Sequence, residues 1–252
     1  MNEPATLIFD CVLLSDIGMK RKQNQDSGTV RPDLGLFVVA DGMGGHQGGE
    51  TASRVCVEQV VSHFEKFGNS SNSERALTEE ALLSANRAIY ELSAKDPTLQ
   101  GMGTTATILR IANQTATIVQ VGDSRVYYFN EMGLWQLTRD HSLVQEKLRA
   151  GLITREQVRN DEMKNVITRS VGYESNVHAD TYQFPIEKND GFLICSDGLS
   201  GPVDDALMFE ILEETSTSGL CLEDAAKKLV ESANSRGGDD NVTVVLVKVK
   251  ST

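Results

Sequence analysis

Residues 36–42, Leu36-Phe37-Val38-Val39-Ala40-Asp41-Gly42, contain the strongest structural signal in this chain of 252 residues. The unbroken apolar run is typical of a buried strand, and the Asp-Gly pair that ends it is typical of a turn. A hairpin would require a matching strand at once, but Met43-Gly44-Gly45-His46 and then a helical pattern follow. The sequence therefore predicts Asp41 at the end of a buried strand, at the rim of the core.

Two further apolar runs end in the same way. The first, residues 118–122, leads to Asp123, and the second, residues 192–196, leads to Asp197. Asp26 and Asp240 place two more carboxylates beside predicted strands. An aspartate of this kind taken alone is more often structural than functional, but five of them at strand ends favour convergence on one site.

Converging carboxylates repel each other and therefore require cations. Oxygen ligands with few imidazoles favour Mg²⁺ or Mn²⁺ over Zn²⁺, and the histidines of the chain lack the paired spacing of a zinc site. The glycines between Gly42 and Gly49 match neither a Walker loop nor GxGxxG, so we interpret them as a tight loop around a metal. Arg21 has the chemistry to hold a phosphate through two parallel hydrogen bonds, although taken alone it is an ordinary loop arginine.

Strand-like and helical segments alternate in blocks. Helical spacing runs from Gly48 to Phe64 and from Ala81 to Leu92. Four strand-like segments between Thr104 and Leu137 are separated by short turns, which predicts a β-meander. Two short helices, two strands, a helix pair from Asp205, with Asp204 as N-cap, and a closing strand follow. The blocks predict an α+β fold with packed sheets and outer helices. Residues 68–73 are interpreted as a surface loop, so residues 1–252 form a single domain.

The composition excludes several classes of function. The chain has 24 Lys and Arg against 36 Asp and Glu, a formal net charge of −12, which disfavours nucleic acids and anionic membranes as partners. No apolar run is long enough to span a membrane, and residues 1–14 do not resemble a signal peptide. The four cysteines are expected to be buried and reduced. A cytoplasmic location is therefore expected.

The short motifs of the chain, in their order, resemble the metal-dependent protein phosphatase family, type 2C, in its compact bacterial form. The resemblance covers about residues 14–249. The motifs are Arg21-x-x-Asn24-Gln25-Asp26, Asp41-Gly42-Met43-Gly44-Gly45, Gly103-Thr104-Thr105, Gly122-Asp123-Ser124-Arg125, Asp140-His141, Thr168-Arg169-x-x-Gly172, Ser196-Asp197-Gly198 and Gly238-Asp239-Asp240-Asn241.

The resemblance implies a four-layer αββα sandwich of two antiparallel sheets flanked by helix pairs. It also implies a binuclear Mg²⁺ or Mn²⁺ centre that activates a water molecule. Asp41 would bridge the two ions and the Gly42 carbonyl would bind one of them. Asp197 and Asp240 would bind the other, Asp26 would act directly or through water, and Asp123 with Asp197 would form a third metal site. Arg21 would bind the substrate phosphate, and residues 143–167 would form a flap over the site.

Three positions depart from the family pattern. Gln25 stands where many relatives have Glu, which removes one carboxylate near the centre. Asp161-Glu162 replaces a His-Pro pair that is common in the bacterial flap. Met43 stands where eukaryotic relatives have a candidate proton donor, and methionine has no proton to give. We expect His46 to brace its loop, so that the leaving oxygen takes its proton from water.

These implications lead to a predicted function. The chain is expected to be a monomeric enzyme of bacterial signalling that hydrolyses phosphoserine and phosphothreonine in proteins, a serine/threonine kinase among them, without a nucleic-acid or membrane partner. Two alternatives remain open at this stage. One is a phosphoprotein-binding module with weak activity, and the other is a phosphohydrolase that acts on small molecules.

Overall fold

The computed structural model describes residues 7–68, 73–158 and 160–251, and the side chains of residues 45–47 and 251 lie outside this description. Its strands are β1 Ile8–Asp16, β2 Asp26–Arg31, β3 Leu36–Met43, β4 Gly103–Thr104, β5 Ala106–Ala112, β6 Thr115–Val121, β7 Arg125–Asn130, β8 Gly133–Gln136, β9 Asp180–Pro185, β10 Gly191–Cys195 and β11 Val242–Ser251. Its helices are α1 Gly45–Phe67, α2 Glu74–Lys95, α3 Leu143–Arg149, α4 Arg155–Val158, α5 Asp197–Ser200, α6 Asp205–Thr217 and α7 Leu222–Ser235.

The strands form two antiparallel sheets. Sheet one has the order β1-β11-β10-β7-β8, and sheet two has the order β2-β3-β5-β6-β9 with β4 paired to the end of β3. Along β3, Phe37 and Val39 face sheet one, whereas Leu36, Val38 and Ala40 face α1 and α2. Both faces of β3 are therefore buried, which explains why its sequence is continuously apolar rather than alternating.

Helix pairs cover the outer faces of both sheets. α1 and α2 pack on sheet two through residues such as Ala52, Cys56 and Ala85. α6 and α7 pack on sheet one through Leu212, Leu229 and their neighbours. Together with the apolar layer between the sheets, these contacts give the predicted αββα sandwich, so the prediction of fold class is confirmed.

The predicted β-meander over residues 104–137 is wrong. β5 and β6 belong to sheet two, but β7 and β8 belong to sheet one, where β7 pairs with β10. The chain crosses between the sheets at residues 122–124, and Gly122 has a φ of +104° there. Strand composition and short turns do not specify which strands pair, so the pattern could not show this crossing.

Several element boundaries also differ from the prediction. β3 continues through Asp41 to Met43 instead of ending before Asp41, because Asp41 pairs with Asp26 on β2, and Gly42 with Thr104 on β4. β2 was not predicted at all. Residues 69–72 of the predicted surface loop lie outside the described residues.

The cysteine prediction holds for two residues. Cys56 and Cys195 are buried, and Cys11 is half-buried, but Cys221 is exposed at the start of α7. Its prediction as buried is wrong, because residue 221 precedes the first buried position of the helix. Among the described residues, no helix is long and apolar enough to cross a membrane.

Candidate metal centre

A cavity of about 590 Å³ opens where the two sheets meet at one end of the sandwich. Six of the seven predicted site residues line it: Arg21, Asp41, Gly42, Asp123, Asp197 and Asp240. Asp26 is the exception. It lies behind Asp41 in the β2–β3 pairing and is 8 % exposed. The predicted residues are thus brought together, six on the cavity wall and one beneath it.

Asp41 and Gly42 are held by the end of β3. The Asp41 amide donates to Thr105 Oγ1 at 2.9 Å, and the Asp41 carbonyl accepts from the Thr105 amide at 2.8 Å. A Cβ at Gly42 would lie 2.1 Å from the carbonyl oxygen of Gly49, so only glycine permits α1 to start this close to the strand. The backbone that carries Asp41 is therefore fixed on both sides.

Asp26 is positioned from sheet one. Ser196 Oγ donates to Asp26 Oδ2 at 2.7 Å and accepts from the Thr243 amide at 3.0 Å. The other oxygen, Asp26 Oδ1, is buried and has no hydrogen-bond partner in the described part of the chain. A buried carboxylate oxygen without a donor is costly, and a cation is one partner that would satisfy it.

Asp123 lies on the crossing between the sheets. The preceding Gly122 donates its amide to His141 Nδ1 at 3.1 Å and accepts from the His141 amide at 2.9 Å. A Cβ at Gly122 would lie 2.5 Å from the Thr105 side chain. These contacts fix the peptide beside Asp123, which the Asp123-Ser124 sequence alone did not indicate.

Asp197 and Asp240 come from two loops of sheet one. Asp197 is the first residue of α5, and a Cβ at the next residue, Gly198, would lie 1.9 Å from the Asn241 carbonyl oxygen. Asp240 precedes β11 and pairs with Arg21 Nη2 at 2.6 Å. The structure thus brings Arg21, the predicted phosphate-binding residue, to the carboxylates. The Arg21 side chain is about half exposed there.

Asn241 holds a loop of the site in place, a role that the sequence did not predict. Its Nδ2 donates to the carbonyls of Ile17 and Gln23 at 2.9 and 3.0 Å, and its Oδ1 accepts from the Gln25 amide at 2.8 Å. This buried amide fixes the loop that carries Arg21 and leads to Asp26. The sequence hints at this role only through the position of Asn241, directly after the candidate ligand Asp240.

The carboxylates perturb one another strongly. Burial, followed by the charges of Asp197 and Asp140, raises the pKa of Asp123 to about 8. Burial is also the main cause that raises the pKa of Asp26 to about 6. The pKa values of Asp41 and Asp197 are raised for the same reason, with neighbouring carboxylates adding to the effect. Such a cluster of acids with raised pKa values is typical of a functional site.

These residues fit divalent cations. Among the described residues, Asp197 Oδ1, like Asp26 Oδ1, is buried without a hydrogen-bond partner, and Asp41 lines the same cavity as Asp197. Within residues 7–68, 73–158 and 160–251, no three His, Cys, Asp or Glu side chains already stand around a single ion position. Bound ions would therefore draw the carboxylates closer together, and backbone carbonyls and water would complete the shells, as is common for Mg²⁺.

The predicted flap is closed at its base by backbone pairing. The Leu143 amide donates to the Val166 carbonyl at 2.8 Å, and Ser142 pairs with Ile167. Within the flap, Lys147 Nζ forms an ion pair with Asp161 at 2.9 Å. The unusual Asp161 is thus an anchor that ties the far part of the flap to α3.

Comparison with known proteins identifies the family. The family model described as Protein phosphatase 2C matches residues 20–232. The chain belongs to the protein phosphatase 2C family. The resemblance predicted from the ordered motifs is therefore confirmed, and the phosphatase has the fold and the metal-dependent serine/threonine class of its relatives.

Individual relatives agree over nearly the whole length. Serine/threonine phosphatase stp of Listeria monocytogenes is 37 % identical over 239 residues, which cover 93 % of each chain. The phosphatase is also similar to the Mycobacterium tuberculosis serine/threonine phosphatase PstP/Ppp, with a TM-score of 0.86 at 32 % identity over 96 % of this chain and 99 % of that one. A catalytic domain of PstP in complex with two manganese ions has a TM-score of 0.84 at 33 % identity and covers 98 % and 100 % of the two chains.

Proposed function

We propose that this centre hydrolyses phosphoserine and phosphothreonine in proteins and that the seven residues described above carry the reaction. The observation that supports this most directly is the convergence of five aspartates with a guanidinium at one cavity. A degenerate binding module would have no use for a complete set of repelling acids. The conserved class of chemistry follows from the family, and the assignment to residues is our proposal.

Different aspartates would bind different metal ions. Asp41 would bridge two ions, with the Gly42 carbonyl on one of them and Asp197 and Asp240 on the other. Asp26 would act directly or through water, since Ser196 already occupies its Oδ2. Asp123 with Asp197 would hold a third ion. Two bound Mn²⁺ or Mg²⁺ ions would activate water and neutralise charge on the phosphate.

Arg21 would bind the phosphate. Its guanidinium already lies at the cavity and pairs with Asp240 through Nη2. Five N–H donors allow a guanidinium to keep one carboxylate and still offer donors to phosphate oxygens. Arg21 would thus orient the phosphoester and stabilise the charge on its equatorial oxygens.

The two buried cysteines are unsuited to act as nucleophiles in a competing mechanism. Burial raises the pKa of Cys56 and of Cys195 to about 12, so these thiols are not nucleophiles near neutral pH. Met43 lines the cavity and has no proton to donate. The side chain of His46 lies outside the described residues, so the source of the leaving-group proton stays a prediction.

We further propose that residues 1–252 act as one monomeric catalytic domain in the cytoplasm, on proteins that include a serine/threonine kinase. All four cysteines are free, as is usual in a reducing compartment. Removing phosphate from a kinase would place the enzyme in a signalling pathway.

Two substrates test the function. With Mn²⁺, we expect turnover of both p-nitrophenyl phosphate and a phosphothreonine peptide, and EDTA should abolish both. Turnover of the aryl phosphate alone would indicate a small-molecule phosphohydrolase. Failure with both substrates, together with tight binding of the phosphopeptide, would indicate a binding module.

A further inference from the structure

A second groove, of about 880 Å³, continues from the metal centre between the flap and the loops of sheet one. It shares Asp123, Asp197 and Asp240 with the cavity already described. One of its walls is the flap, and the opposite wall includes Pro202 and Arg236. A substrate whose phosphate sits at the centre therefore has a continuous path for its neighbouring residues along this groove.

Three exposed cations line this groove without a close ion pair among the described residues, although Lys164, after Lys20, helps to lower the pKa of Asp239. They are Arg155 and Lys164 on the flap and Arg236 after α7. None of the three forms an ion pair within 4.0 Å among the described residues, although Arg236 donates to the Ser232 carbonyl at 3.1 Å. The chain as a whole is acidic, with a net charge of −12, so three cations together at one groove form a local positive patch.

Among the described residues, six aspartates line the same groove, and Asp123 and Asp197 among them are proposed metal ligands. Asp140 is bound by Arg125, with the closest contact at 2.7 Å. Asp239 pairs with Lys20, and Asp240 pairs with Arg21. Asp205 accepts only a long hydrogen bond, 3.4 Å, from the Tyr127 hydroxyl. Because three of the other four aspartates are paired with cations, the three exposed cations supply uncompensated positive charge beyond the metal centre.

We propose that the groove binds the segment beside the phosphoresidue and selects segments with acidic side chains. This inference rests on the proposed function, since the phosphate must sit at the metal centre. An extended chain advances by about 3.3 Å per residue, so carboxylates within about five residues of the phosphoresidue can reach the groove. Arg155, Lys164 and Arg236 are thus specificity-determining residues for the substrate protein.

The test compares three phosphothreonine peptides that differ only in their flanks, which carry Glu, Gln or Lys at the same positions. For the unmodified enzyme with Mn²⁺ at low ionic strength, we expect kcat/KM for the Glu peptide to exceed that for the Lys peptide by about tenfold, as three exposed ion pairs would give. The difference should lie mainly in KM and should shrink in 0.5 M salt, because salt screens exposed charges.

Charge reversal provides the decisive variant. The triple substitution Arg155→Glu, Lys164→Glu and Arg236→Glu should reverse the preference, so that the Lys peptide becomes the better substrate. The matched control reverses three exposed cations that line neither cavity, Lys66→Glu, Arg87→Glu and Lys188→Glu, and should keep the preference of the unmodified enzyme. Thermal unfolding of both triple variants verifies that they fold.

The outcomes separate the two proposals. Equal kcat/KM for all three peptides, or a preference that survives reversal at the groove, would overturn the inference and leave the phosphatase function intact. A loss of preference in the matched control as well would assign the effect to net charge and would also overturn it. Failure to hydrolyse any peptide, with or without Mn²⁺, would overturn the proposed function and this inference together.

Discussion

At the scale of single residues, the centre is a set of acids held close together against their own repulsion. Two of them are fixed by neighbours that are not themselves candidate ligands: Thr105 holds the backbone of Asp41, and Ser196 holds the side chain of Asp26. These neighbours keep the carboxylates in place while the pKa values of Asp26 and Asp123 rise to about 6 and about 8. Removing a single acid should therefore affect function far more than folding.

Asp41→Asn tests this expectation. The amide keeps the shape of the side chain but removes the charge proposed to bridge two ions, so kcat/KM should fall by more than about 100-fold at saturating Mn²⁺. The variant should remain folded, and its Tm in EDTA should equal or exceed that of the unmodified protein, because one repelling charge is gone. Asp33→Asn, an exposed acid remote from the centre, is the control. Near-normal turnover of the Asp41 variant would refute the bridging role.

Arg21→Ala tests phosphate binding. A charge-assisted hydrogen bond contributes roughly 1.5–3 kcal/mol, so kcat/KM for a phosphopeptide should fall about ten- to hundredfold, mainly through KM. Steady-state kinetics at fixed Mn²⁺ gives both parameters. Arg21→Lys keeps the charge but loses the paired donors of the guanidinium. Its kcat/KM should lie between that of the unmodified enzyme and that of Arg21→Ala. An unchanged kcat/KM in the alanine variant would show that Arg21 is an ordinary loop residue.

At the scale of elements, the site depends on how helices begin directly after strands. α5 starts at Asp197 itself, and α6 starts five residues after α5 ends, with Asp204 as its N-cap. The Asp204 carboxylate accepts from the Leu207 amide at 2.9 Å, so the N-cap predicted from the sequence is confirmed. This cap keeps α6 in place below the loop that forms one wall of the groove.

Asp204→Ala should lower the free energy of unfolding by about 0.5–2 kcal/mol, because it removes the acceptor for an amide at the first turn of α6. Urea denaturation monitored by circular dichroism measures this change. Glu210→Ala, an exposed substitution further along the same helix, should cost no more than about 0.5 kcal/mol. Equal losses in the two variants would argue that the cap contributes nothing specific.

At the scale of the whole molecule, the raised pKa values make the stability of the metal-free protein depend on pH. An acid whose folded pKa exceeds its unfolded value of about 3.9 stabilises the fold while protonated, and this contribution is lost as pH rises through the folded pKa. For Asp123 the folded value is about 8. Burial lowers the pKa of His63 and of His141, so their opposing contribution is already complete above about pH 7.

In EDTA, Tm should therefore fall between pH 7 and pH 8.5, by about 3 °C for a loss of about 1 kcal/mol. Mn²⁺ at saturation should remove most of this fall, because bound cations offset the repulsion. Differential scanning calorimetry at several pH values measures both curves. Asp123→Asn should give a shallower fall in EDTA. A Tm that rises over this interval in EDTA would contradict the mutual repulsion of the acids.

The sequence indicated where the candidate residues would gather more directly than it indicated the strand pairing around them. Asp41, Asp123 and Asp197 each follow an apolar run, and that local pattern does not depend on which strands pair. The pairing itself, with β7 beside β10 and β2 beside β3, depends on contacts between residues far apart in the chain. For the same reason, the roles of Asn241 and His141 could not be derived: both act through backbone groups of distant loops.

One consequence follows from the place of β11 between β1 and β10 in sheet one. A cut at Gly219, between α6 and α7, would divide the chain into a long fragment with Asp26, Asp41, Asp123 and Asp197 and a short fragment with Asp240 and β11. The long fragment would lack a central strand, and the short one would lack a core. Because neither piece contains the whole centre, restored turnover on mixing would report reassembly, as in a split enzyme used to detect proximity.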